Sequence, residues 1–371
     1  MRGIALAVIV SASSTAGLAT TYPMDAEHWD AQGNVGFEVH DGRQSLRLGA
    51  FEGKPIGGGQ ANLRNVKFDT GVIEYDLMIT GNYDFVGPVF HQVKDGFGEV
   101  IYLRPHLIGK PDSIQYTPIV NGNLAWQIFT GAGFEAQAMY PIGKWIHVRT
   151  DVYPGSATVS LDGQKVLHIP YLKGLPGAGD VGILALAGGD YIANLSLEPI
   201  ANYRDPEPPP PIKPLPKGSV TSWQVSPPIL QAEAFSRAAK SNWAGVKWQA
   251  LAVETTGAAN LSKAGPDDKD HYSFLARFRV DSPSAHRELM QFGFSDDVRV
   301  YLNGVPLYEG SDRQNSRDYR FLGHVGFWDS VYLPLRKGKN DVVLVVSDQT
   351  NGGTAAAAKF DPASRVRIGG N

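Results

Sequence analysis

The chain has 371 residues, with 34 Lys and Arg against 37 Asp and Glu for a net charge of −3, so no basic excess draws it to nucleic acid or anionic lipid. It contains no cysteine, which excludes a disulfide frame, a thiolate zinc site and a cysteine nucleophile and leaves packing to hold the fold. Its 42 glycines and 25 prolines punctuate short apolar-alternating runs, and no run has the length of a membrane span. The expected class is all-β: two β-sandwich (jelly-roll-like) domains joined by a Pro-rich linker.

The N-terminus, Met1-Arg2 followed by GIALAVIV and a small-residue tract to Ala19, has the order of a secretory signal; the alternative is an edge strand. Residues 1–23 are therefore set apart from a first module at 24–200, a linker at 201–218 and a second module at 219–371. In the first module strands are predicted over 45–51, 71–79, 85–93, 99–105, 124–130, 144–153, 157–163, 165–169 and 179–186, nearly every pair separated by turn residues. In GVIEYDLMI, Ile73, Tyr75, Leu77 and Ile79 fall on one face and Glu74 and Asp76 on the other, the pattern of a strand packed on one side and wet on the other. Asp162-Gly163 suits the tight turn of a hairpin.

Residues 99–127 concentrate the side chains that grip sugars: Tyr102, Arg104, His106, Asp112, Gln115, Tyr116, Asn121 and Trp126, with His91 just upstream. Aromatic faces stack on C–H surfaces, while Arg, His, Asn and Gln form directional bonds to hydroxyls. Period two places Tyr102, Arg104 and His106 in one row. The expected ligand-binding set is Glu74, Asp76, His91, Tyr102, Gln115, Asn121, Trp126 and Trp328. In an enzyme, Arg104, His106 and Tyr116 would be the catalytic group, His or Tyr acting as base and Arg neutralising a developing oxyanion. The plainer readings are solvated strand residues for Glu74 and Asp76, an ion pair between Arg104 and one of those acids, and a loop role for His106. No Ser-His-Asp elbow, phosphate-cradling loop or HExxH motif is present.

The order TGVIEYDLMI, NYDFVGPVFHQV, EVIYLRPH, SIQYTPIVNGNLAWQI, KWIHVRTDV, ATVSLDGQKVL and GDVGI resembles the concanavalin A-like lectin/glucanase superfamily. Its laminin-G-like branch and the 3-keto-disaccharide hydrolase-like domains are the most similar, over residues 28–198. The resemblance implies a sandwich whose concave face binds or cuts glycans, although fold alone does not fix function. Laminarinase-like members carry an E-x-D-x-x-E strand motif; Glu74 and Asp76 match its first two positions, and Ile79 stands at the third. A glycosidase needs two carboxyls about the scissile bond, so half the machinery is missing from that strand.

The linker DPEPPPPIKPLP, at about 3.1 Å per residue in polyproline II form, could hold the modules on the order of 35 Å apart if fully extended. In the second module a helix-compatible patch at 231–240 precedes predicted strands over 271–281, 287–296, 297–310 and 331–348. The segments SDDVRVYLNG and LPLRKGKN resemble galactose-binding-like jelly-roll domains. Candidate contacts are Asp296, Asp297, Trp328, Asp329 and the loop 312–320. No cofactor is expected; a structural calcium at Asp296 and Asp297 stays open beside turn capping, the site needing six to eight oxygens. The tail from Thr350 offers no recognisable chemistry. The leading functional expectation is a secreted, two-module carbohydrate-binding protein. The alternative is a glycoside hydrolase or polysaccharide lyase with its site on the first module, and a third reading is an accessory pair without sugar affinity, marked by an exposed apolar patch.

Overall fold

The computed structural model describes residues 17–50, 57–313, 316, 324–348 and 352–369. Residues 1–16 of the predicted N-terminal signal and most of the loop 312–320 lie outside them, while Thr20–Thr21 form a short strand paired with Ser196 and Leu197. The first sandwich packs two eight-stranded antiparallel sheets face to face. The back sheet runs, edge to edge, Gln164–Ile169, Ser156–Leu161, Trp145–Tyr153, Gly71–Met78, Gly189–Pro199, Arg43–Gly49 and Val35–His40, with Thr20–Thr21 also paired to Gly189–Pro199. The front sheet runs Asn123–Leu124, Ile114–Val120, Phe97–Leu103, Val86–Gln92, Asp180–Ala185, Gly59–Leu63 and Trp29–Gly33, with Glu135–Ala136 also paired to Ile114–Val120. Alternation decides what lies between them: Ile73, Tyr75 and Leu77 of the back sheet meet Ile101, Leu103, Ile114, Tyr116 and Ile183 of the front.

The second sandwich pairs an eight-stranded sheet centred on His271–Ser282 and Gly338–Ser347 with a four-stranded sheet of Ala259–Asn260, Ala355–Phe360, His286–Phe294 and Asp329–Leu335. The predicted helical patch forms the helix Gln231–Lys240, whose Ala234 and Ala238 are buried. Asn303-Gly304, both at positive φ, closes the hairpin Asp296–Leu302 to Val305–Asp312. The tail from Thr350 supplies the strand Ala355–Phe360, small enough to run buried beside His286–Phe294. One expectation is corrected. Residues 124–130 do not form a strand: pairing stops at Leu124, and Ala125, Ile128 and Phe129 instead bury against the second module. The strand Ile114–Val120 precedes that segment, and its turn carries the hairpin pair Asn121-Gly122 at positive φ.

The two sandwiches are in contact, so the Pro-rich segment does not hold them apart at its full extension. Ala125, Ile128 and Phe129 pack with Ala258, Ala355 and Ala357 in one apolar cluster. Gln127 N donates to the Gly352 carbonyl (3.1 Å), Val325 N donates to the Gln127 carbonyl (2.9 Å), and Gln127 Nε2 donates to Asp296 Oδ1 (3.0 Å). Asn121 Nδ2 reaches the Ser262 carbonyl and Asn123 Nδ2 reaches Asp267 Oδ1, both at 2.7 Å. Gly353, at φ +85°, lies so close that a Cβ there would stand 2.7 Å from Ala125 Cα. The Pro-rich segment, meanwhile, lies along the first module: Asp205 accepts from Ser156 Oγ (2.6 Å), and Tyr171 OH donates to the Pro210 carbonyl (2.7 Å). Polyproline geometry stiffens the segment without setting its direction, and these bonds fold it back along the sandwich. Phe129→Ala is expected to cost about 3–5 kcal/mol at the junction and to split one cooperative thermal transition into two in scanning calorimetry.

Candidate functional site

Because Ile101, Leu103 and Tyr116 face the core, the alternate residues of the same strands, Val100, Tyr102, Gln115 and Ile119, face outward from the front sheet. That outer face carries a cavity of about 430 Å³ whose lining includes Gln60, Tyr83, Phe85, Tyr102, Arg104, Ile119, Trp126 and Leu184. Its floor is fixed by cross-strand register, with Tyr102 opposite Gln115 and Gln115 opposite Glu135. Gln115 Oε1 accepts from Tyr102 OH (3.0 Å) and from Arg104 Nη1 (3.3 Å), and its amide Nε2 donates to Glu135 Oε2 (3.4 Å). Beside this row Gln60 Nε2 donates to Gln92 Oε1 (2.9 Å), and both amides reach Asn62 Oδ1 (3.1 Å each).

Arg104 is 6% exposed, and its charge is cancelled by Asp112 at 2.7 Å. Its guanidinium carbon lies 5.5 Å from the Phe85 ring centroid. His106 follows in the short turn Pro105–Leu107, stacked on Tyr83 (4.4 Å between centroids) and edge-on to Phe85 (5.1 Å). Arg104 Nε and both ring nitrogens of His106 are buried without a hydrogen-bond partner. Burial, then the Arg104 charge, pushes His106 down from 6.5 to about 4, so the ring is neutral at physiological pH. Burial also raises Glu135 above the usual carboxylate range.

One wall of the cavity stands on a pair of buried acids. Asp84, between Tyr83 and Phe85, accepts at Oδ1 from the backbone of Phe85 (2.7 Å), Leu186 (3.0 Å) and Ala187 (2.7 Å). Asp190 accepts at Oδ1 from Thr80 N (2.8 Å). The Oδ2 atoms of Asp84 and Asp190 have no hydrogen-bond partner, and the two carboxyls act on each other electrostatically, which favours a proton on one of them. Burial, then the Asp84 charge, lifts Asp190 from 3.8 to about 8.

The predicted residues separate accordingly. Tyr102, Arg104 and Trp126 line the cavity, and Gln115 and His106 stand beside it. Tyr116 does not join them: it faces the core, fully buried, and its OH donates to Glu99 at 2.6 Å. Glu74 and Asp76 lie across the sandwich on the outer face of the back sheet, because their neighbours Ile73, Tyr75 and Leu77 fill the core. There Glu74 pairs with Arg149 (2.9 Å), and Asp76 holds Arg43, Asn194 and His147, so neither acid meets Arg104. His91, at φ +50° and 4% exposed, donates from Nε2 to the Asp69 carbonyl (2.6 Å) and is a structural residue. Asn121 is spent on the contact with Ser262. Trp328 stands on the second module, half exposed, its Nε1 donating to the His324 carbonyl (3.0 Å).

Sequence reasoning missed Tyr83, Phe85, Gln60, Asn62, Gln92, Glu135 and the acid pair. The hairpin signal Asn121-Gly122 could have located the strand bearing Gln115; nothing in the local sequence announces Asp84 with Asp190, which are brought together from 106 residues apart by sheet pairing. A larger cleft, about 550 Å³, lies in the second module, but its charges face one another, Arg299 on Glu309 and Arg313 on Asp297. Asp296, the other calcium candidate, accepts from Gln127. Among the described residues no cluster of three His, Asp or Glu side chains is arranged to hold a metal, and no helix is long and apolar enough to cross a membrane.

No protein-family model matches the chain, and no curated protein matches its sequence. Among solved structures it is similar to the carbohydrate-binding module CBM66 from Bacillus subtilis (14% identity, 45% of this chain and 93% of that one, TM-score 0.35). It is also similar to a galectin-like protein of unknown function from Bacillus subtilis (11%, 52% and 100%, 0.37). A third is a glycoside hydrolase family 16 endo-glucanase from Bacteroides ovatus (12%, 48% and 99%, 0.35).

The acid pair has a thermodynamic signature. With the folded Asp190 near 8 and an ordinary value of 3.8, the folded state keeps a proton that the unfolded chain releases, so stability falls as pH rises from about 4 to about 8. Asp190→Asn, which can donate to Asp84 without titrating, is expected to flatten that slope in denaturant melts taken across this range.

Proposed function

We propose that this protein binds a neutral oligosaccharide in the cavity on the outer face of the front sheet. The observation that carries the reading is a buried guanidinium, already neutralised by Asp112, set among Tyr83, Phe85, Tyr102 and Trp126 with Arg104 Nε and both His106 nitrogens unpartnered. Aromatic rings offer faces for sugar C–H surfaces, the neutral imidazole offers one donor and one acceptor, and Arg104 Nε offers a further donor. A carboxylated sugar would bring a third negative charge towards Asp112 and Glu135 and is disfavoured. Cleavage would need two carboxyls about the bond; the neighbouring acids are tied up, Asp112 by Arg104 and Glu135 by Gly131 N (2.8 Å) and Gln115. Binding without turnover is therefore favoured over a hydrolase or lyase. On this reading the protein acts outside the cytoplasm, as the order of its N-terminus implies, with a concanavalin A-like first module and a galactose-binding-like second one.

The reading is checked by calorimetric titration with neutral and uronate-containing oligosaccharides, alongside an assay for new reducing or unsaturated ends. Retention of neutral glycans without product is expected, with Arg104→Ala and Trp126→Ala each weakening binding by at least about tenfold. Binding should be level from pH 8 down to about 6 and decline towards pH 4, where His106 takes up its proton. The same shift removes stability on acidification, because the unfolded imidazole protonates near 6.5 before the folded one does. Turnover that disappears in Arg104→Ala would instead make this an enzyme.

A further inference from the structure

The cavity is lined by the first module, and at Trp126 that lining meets the second module. Val325 N donates to the carbonyl of Gln127, which sets the backbone of residues 324–325 directly against Trp126. From there His324 presents its ring edge-on to Trp126, 6.2 Å between centroids with planes at 72°. Trp328 then folds back over this turn: its Nε1 donates to the His324 carbonyl at 3.0 Å, and a Cβ on Gly326 would lie 2.3 Å from its ring. Both Arg104 and Asp112 act electrostatically on the His324 ring, although it belongs to the other sandwich.

We infer that the site continues past Trp126 onto the second module, where His324 contacts the sugar that stacks on Trp126 and Trp328 extends the aromatic surface to the next sugar along the chain. This rests on the proposed oligosaccharide-binding function and deepens it: the ligand is a chain of at least two neutral sugars, and the second module forms part of the recognition surface. Burial keeps the His324 ring neutral, lowered from 6.5 to about 4, so it offers one donor and one acceptor, as hydroxyl recognition requires. Because the two halves of the site come together only when the modules dock, ligand binding and docking stabilise each other by the same factor.

The test uses the full chain and the neutral glycan it retains best, in calorimetric titrations against one, two and three sugar units. Affinity is expected to rise with each added unit, His324→Ala to lose about tenfold, and His324→Gln, which keeps a donor and an acceptor, to recover most of it. Asn123→Ala touches no sugar in this scheme but removes the bond to Asp267; it should still weaken binding several-fold, and added glycan should raise its melting temperature more than that of the unaltered chain. If the unaltered chain binds glycan while His324→Ala and Asn123→Ala bind it equally well, the second module is no part of the site and the inference falls. If the unaltered chain retains no glycan, the proposed function itself is overturned and this inference with it.

Discussion

The segment from Asn121 to Phe129 leaves the front sheet after Leu124 and fills the space between the two sandwiches, and the rest of the molecule is arranged around it. Its buried backbone groups need partners, and those at Gln127 find them on the other module, at Gly352 and Val325. Its apolar side chains are covered by the small residues Ala258, Ala355 and Ala357. Without that cover a contiguous apolar patch would be exposed. The cavity inherits its geometry from this junction, since Trp126 lies in the middle of the docked segment.

Charge in the site is settled internally. Arg104 and Asp112 cancel, His106 and His324 are held neutral by burial, and burial beside Asp84 favours the protonated form of Asp190. A buried charge without a partner would be costly, so each ionisable group is either paired or uncharged. What lines the cavity is a set of rings and an amide, beside the buried, unpartnered nitrogens of Arg104 and His106. This is the chemistry of hydroxyl recognition, whereas the outer face of the back sheet, with Glu74, Asp76, Arg43 and Arg149 locked together, presents a closed network of ion pairs.

Several elements were legible in the chain before any coordinates. The period-two alternation of GVIEYDLMI, the Asp162-Gly163 and Asn303-Gly304 turns and the helix over Gln231–Lys240 depend on local chemistry, and each forms where the pattern places it. Tyr102 and Arg104 share a face for the same reason, since strand alternation is a property of neighbours. The short apolar run 124–130 misled, because periodicity cannot distinguish a strand from a loop that is buried by another module. The strand Gly189–Pro199 was hidden for a related reason: its Asn194 and Ala193 interrupt the alternation at a bulge opposite Gly71–Met78.

By itself the sequence determined an all-β chain of two sandwiches, the row of sugar-gripping residue types between Tyr102 and Trp126, and the absence of any cysteine chemistry. These follow from composition and from spacing along one strand. Only the tertiary structure decided that Tyr116 faces the core while Gln115 faces the outer side with the cavity, that Glu74 and Asp76 lie across the sandwich from Arg104, and that His324 stands beside Trp126. The physical reason is that a strand fixes which residues share its face but not which sheet it joins, which partner it pairs with or what docks on it. Those are set by long-range register and by the burial of apolar surface between modules, to which residues far apart in the chain contribute together.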